Sequence, residues 1–181
     1  MAVALVESYG DVLAALKDDR RAHSLAAARK AEAAAVGIAP ALRADVTVAA
    51  VLHDIGYGHM ETGFHPLDGA GFLAREGFSP VVCNLVAHHS ASTYEAEERG
   101  IDLANYARFA VDQDLSEAHA VLWWADLTTG PQGQEMAVED RLDEICRRYG
   151  PGDVITRFIG RARPVLLAAG QSPVGPIRVR C

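Results

Sequence analysis

The sequence predicts an all-α protein, a single helical domain of about seven to nine helices. Apolar residues recur mostly at spacings of three and four, the repeat of one helix face. Alternating runs of the strand type are nearly absent. Glycine, proline and capping residues punctuate the apolar runs where helices should begin and end.

The elements follow in order. Residues 2–17 can form one helix, loosened by Gly10. Asp18 and Asp19 are candidate caps for a second, alanine-rich helix from about Arg20 to Val36, stopped by Gly37. Pro40 suits the first turn of a third helix, through "ALRADVTVAAVLHDI" to Gly56. Pro66 opens "PLDGAGFLARE", closed by Gly77, and Ser79 with Pro80 caps "VVCNLVAHH". From Ser90 to about Gln113 the chain is more polar, with room for two short helices. "DLSEAHAVLWWADL" is a strongly apolar helix stopped at "TTGPQG". Residues 137–149 and 152–169 make two more helices, and the tail 171–181 reads as extended and peripheral. Neither an internal repeat nor a linker is evident, so residues 1–181 form one domain.

At 181 residues, half of them apolar, the chain can bury a core of roughly two-thirds of its unfolded surface. A net charge of −7 argues against a surface built to bind a nucleic-acid polymer. Lysine occurs only at Lys17 and Lys30, while arginine is plentiful. Cys83, Cys146 and Cys181 have no CxxC spacing, which fits a reducing compartment and provides no thiolate metal site. Glu7 and Asp11 come too early for a secretory signal, and no apolar run is long enough to span a bilayer. The expected location is cytoplasmic, with no membrane contact.

Seven histidines occur, three of them (His53, His59, His65) within thirteen residues and beside Asp54. His23 lies on the second helix among alanines. His53 and Asp54 end the third, His65 starts the fourth, His88 and His89 end the fifth, and Asp126 follows "VLWWA". Each has apolar neighbours, where an unpaired polar group costs a few kcal/mol. Convergence on one or two divalent cations would satisfy them together, since imidazole and carboxylate are common metal ligands. His59 reads as an exposed loop residue, His119 as a helix-surface residue, and Trp123 and Trp124 as packing. Thr128, Thr129 and Gly130 either border a pocket or end a helix.

The order of these residues resembles the HD-domain superfamily of metal-dependent phosphohydrolases, over about residues 20–130. "RRAHSLAAA" resembles its first-histidine helix, "AAVLHDIG" its signature, and "FHPLDGAGFL" the segment of members with a fuller metal site. "LVAHHS" resembles the later histidine pair and "WWADLTT" the closing helix. The resemblance implies that His23, His53, Asp54 and Asp126 hold one metal. It implies that His65, with His88 or His89 or both, holds a second, Asp54 bridging the two. The metal could be Fe, Mn, Co, Mg, Ni or Zn, since this ligand set suits several ions. Tyr57 stands where a lysine is often found after HDIG. "SASTYEAEERG" lacks the GYP motif of the cyclic-di-GMP phosphodiesterases, which argues against that substrate.

The implied activity is hydrolysis of a small, nucleotide-like phosphorylated substrate by a metal-activated water. Asp54 is the catalytic candidate, able to accept a proton from that water. Arg20 and Arg21, close before His23, are candidates to clamp a phosphate oxygen. A di-iron oxygenase of HD type is the alternative, and a non-catalytic metal- or nucleotide-binding module the third reading. The expected partner is the small phosphorylated substrate, and a homodimer is left open.

Overall fold

In the computed structural model, which describes residues 9–173, the chain is all-α. Helices α1 (Asp18–Ala34), α2 (Arg43–Leu52), α3 (His65–Arg75) and α4 (Pro80–Ala87) come first. They are followed by α5 (Ser92–Glu98), α6 (Ser116–Leu127), α7 (Val138–Tyr149) and α8 (Val154–Gln171). Short 3-10 turns connect them, and residues 9–13 are the described end of a helix before α1. No strand forms among the described residues; an isolated bridge pairs Thr129 with Glu135. The expected start of the first helix and most of the tail lie outside the described residues.

Small residues set the central packing. Ala27, Ala28 and Ala31 of α1 are buried, as are Ala49 and Ala50 of α2. With so little side chain between them, α1 packs closely on α2 and α6. Asp18 and Asp19 do not cap α1 as expected. Lys17 occupies the cap position, and both aspartates lie in the first turn, where their charge suits the helix dipole. At the other end, α1 tightens into Ala35–Gly37, and Arg43 donates to the carbonyls of Val36 and Ile38.

The entry to α3 is organised by one buried carboxylate. Asp68 accepts from the backbone N–H of Thr62, Gly63 and Phe64 and from the Thr62 hydroxyl. The helix ends as the sequence predicts, with Gly77 at φ +81°. There the Phe78 N–H reaches the Leu73 carbonyl at 3.0 Å. Ser79 caps α4 by accepting from Val82 N–H at 3.2 Å. Helices α7 and α8 form a hairpin, and α8 packs on α5 and α6.

His119 corrects its expected surface position: it is fully buried, with Nε2 3.1 Å from Asn84 Oδ1. The "SEAHAVLWWADL" helix is enclosed on nearly every side, so its polar stripe cannot be read as solvent-facing. Burial, reinforced by His88 and His89, lowers the His119 pKa from 6.5 to about 3. The folded chain therefore holds this ring neutral, while the unfolded chain protonates it below 6.5. Stability should rise with pH between those values, by up to about 1.4 kcal/mol per unit from this ring alone. We expect His119→Gln to flatten that part of the urea-midpoint profile of chelated protein; an unchanged slope would refute the assignment.

Candidate metal centre

Five segments bring the site together. Arg20 and His23, three residues apart, share one face of α1. His53 ends α2, and Asp54 leaves the helix at φ −91°, ψ 3° before the tight turn Ile55–Tyr57. Gly56 lets α3 approach this turn. A Cβ at Gly56 would lie 2.0 Å from the His65 carbonyl oxygen and 2.7 Å from Gly69 N. The close crossing of Gly56 and Gly69 is what sets His65 beside Asp54. After α4 the chain passes through Ser90 and Ala91 at φ +46° and +61°, a left-handed pair that turns His89 inward. Asp126, near the end of α6, accepts a short hydrogen bond from the Ser90 hydroxyl.

The ring geometry is specific. His23 Nδ1 lies 3.2 Å from Gly130 O, His53 Nδ1 2.9 Å from Ala50 O, and His89 Nδ1 2.6 Å from Val86 O. A carbonyl can only accept, so each Nδ1 carries the hydrogen, and Nε2 of the neutral ring presents a lone pair. Those lone pairs face other nitrogens: His23 Nε2 is 3.2 Å from His53 Nε2, and His65 Nε2 is 3.2 Å from His89 Nε2. Two lone pairs at that distance repel unless positive charge lies between them. With bonds of about 2.1 Å, neighbouring ligands of one cation stand roughly 3 Å apart, so the spacing fits a metal.

The carboxylates complete the arrangement. Asp126 Oδ1 is 3.0 Å from His23 Nε2 and 3.6 Å from His53 Nε2. Asp54 divides its oxygens, Oδ2 at 3.7 Å from His53 Nε2 and Oδ1 at 3.7 Å from His65 Nε2. Ligand atoms of His23, His53 and Asp54 lie within 4.8 Å of one another, and so do those of Asp54, His65 and His89. Asp54 belongs to both groups, as a bridging carboxylate must. These residues could hold a divalent metal ion, and the second group offers a place for another.

The electrostatics agree. Burial alone would raise the Asp54 and Asp126 pKa values, but His53 and the other neighbouring cationic groups hold both well below the carboxylate range. Burial pulls the His53 pKa down, yet Asp54 and Asp126 push it up to about 9. The site therefore attracts positive charge at that ring. Burial lowers His65 and His89, keeping both neutral and available as donors of electron pairs.

Not every expected residue arrives. His88 turns away: Nε2 donates to Phe109 O at 2.6 Å and the ring stacks on Tyr106. The helix has ended at Ala87, so the two adjacent histidines leave in different directions, and His89 alone joins His65. Arg21 pairs with Asp18 at 2.5 Å on the exposed side of α1. Arg20 is at the site, but Nη1 donates to Asp54 Oδ2 at 2.8 Å. His59 is half-buried rather than exposed, stacked on Phe72 at 3.6 Å.

Contacts from three further residues complete the site. Tyr57 stacks on His65 at 4.1 Å, and the Arg20 guanidinium lies 4.1 Å over the Tyr57 ring, so Tyr57 stands between the guanidinium and the neutral imidazole. Ser90 steadies Asp126, and the Gly130 carbonyl orients His23. A cavity of about 100 Å³ opens beside the cluster, lined by Asp54, His65, His89 and Asp126 and also by Leu142, Ile145 and Phe158.

A family profile described as HD domain matches residues 20–128. No curated protein and no solved structure matches the chain.

Proposed function

Because the chain belongs to the HD-domain family, whose members are mostly metal-dependent hydrolases, we propose that it is a metal-dependent phosphohydrolase of a small phosphorylated substrate. The observation that supports this most is the aim of the rings, Nδ1 tied to backbone carbonyls and Nε2 gathered with two carboxylates. His23, His53, Asp54 and Asp126 would hold one ion, and Asp54, His65 and His89 a second. A bound divalent ion supplies an acidified water and neutralises phosphate charge.

The chain's own residues do the rest. Asp54, depressed by His53 and Arg20, is a poor proton acceptor, so its role is shared ligand and orienting charge. Arg20 keeps one N–H on Asp54 and offers the remainder of its fork to an anion in the cavity. Ser90 fixes Asp126, and the apolar part of the cavity lining limits water around the substrate.

Protein purified without chelators should contain a first-row metal by elemental analysis and release phosphate with added Mn²⁺, Co²⁺, Fe²⁺ or Mg²⁺. If no compound of a broad phosphorylated panel turns over with any of these ions, the hydrolase reading is wrong. One observation favours a second reading: the group around His65 and His89 shares Asp54 with the first, the arrangement an HD-type di-iron oxygenase would use. Anaerobic loading with iron separates the two, since the oxygenase shows a mixed-valence signal and consumes O₂.

A further inference from the structure

Part of the cavity wall comes from α7 and α8, beyond the residues that match the family. Two arginines of α7, Arg141 and Arg148, stand there, seven residues apart and hence two turns along one face. Arg141 is only 5 % exposed, unusual for a guanidinium. It donates one N–H to Glu144 at 2.5 Å, and Arg148 reaches the same carboxylate at 3.5 Å. One carboxylate thus serves two cations.

The acids that line the cavity are already answered. Asp54 and Asp126 belong to the metal centre, and Glu95 is paired with Arg99 at 2.7 Å. Arg20, Arg141 and Arg148 also meet in the small cleft beside His23, where exposed Asp19 lies at the solvent edge. Positive charge therefore exceeds negative charge on the α7 side, and most donors of the Arg141 fork are not spent on Glu144.

We propose that Arg141 and Arg148 form a second anion site in the α7 wall of the cavity, beside the metal centre, so the substrate is a compact bis-anion. The inference rests on the phosphohydrolase reading: the scissile phosphate lies at the rings, and a second oxyanion, carboxylate or phosphate, lies on the arginines. Leu142, Ile145 and Phe158 seat the short carbon skeleton between them. The cavity of about 100 Å³ suits a small molecule.

The test uses non-hydrolysable probes titrated calorimetrically into the Mn²⁺-loaded full chain at low salt. Propylphosphonate carries one anion, 3-phosphonopropionate adds a carboxylate, and 1,3-propanediphosphonate adds a second phosphonate. At least one bis-anion should bind about tenfold or more tightly than propylphosphonate, from charge-assisted bonds to the fork. The tighter of the two names the second group. In Arg141→Gln and Arg148→Gln the advantage should shrink to under about threefold, while Arg163→Gln, paired with Asp143 away from the cavity, keeps it. Arg148, the more exposed arginine, decides the matter if Arg141→Gln does not fold. Equal binding of all three probes, or an advantage that survives Arg148→Gln, overturns the proposal. Phosphate release is scored separately: a bis-anion preference without turnover would refute the hydrolase reading and leave the anion site standing.

Discussion

Asp54→Ala is expected to leave a folded protein that retains almost no metal and loses about 10³-fold or more in turnover. Asp54 is the residue shared by both ligand groups, so its removal opens both at once. On the phosphohydrolase reading, a held ion would lower the pKa of its water from near 16 to about 7, and the variant would lack that source of hydroxide. The fold should survive, because Arg20 is partly exposed and can carry its freed charge into the cavity. Asp54→Asn keeps the shape and one acceptor oxygen but not the charge, and should fail nearly as badly. Metal equivalents and thermal shifts are the readout: in wild-type protein an ion at a hundred times its Kd stabilises by about 2.7 kcal/mol, and the variant should show no such shift. Retention of metal and activity in Asp54→Ala would remove Asp54 from the centre.

Gly56→Ala should be the most damaging change to stability for its size. The added methyl would sit 2.0 Å from the His65 carbonyl oxygen and 2.7 Å from Gly69 N, both backbone atoms that no rotamer can clear. Helix α3 would have to move away, taking His65 with it. We expect a loss of at least about 3 kcal/mol, or roughly 6–12 °C in Tm for a chain of this size. The same displacement should weaken metal retention, which Gly71→Ala, with only the flexible tip of Arg75 at 3.6 Å, should not do. A Gly56→Ala protein as stable as wild type would show that the crossing is looser than described.

Much of the helical order was legible because caps and stops act locally. Ser79 and Gly77 do what their positions imply, one by a side-chain hydrogen bond and the other by its left-handed backbone. The ring pairing was less legible. His88 and His89 are equivalent in sequence, and only the end of α4 at Ala87 and the left-handed turn after it decide which faces Asp54. His119, read as a helix-surface residue, misled because nothing within its own segment shows that other helices enclose α6. Tyr57 meets His65 8 residues away and Ser90 meets Asp126 36 residues away, while Arg141 lines a cavity with residues as distant as Arg20, and no local spacing encodes such encounters.

The three rings anchored through Nδ1 are held by main-chain oxygens, which no point substitution deletes. Their aim is thus insensitive to changes in surrounding side chains, and a change in the cation held there would not require re-aiming them. Chemistry could then diversify by changing the bound element and the α7 wall, while the grip on the element stays constant.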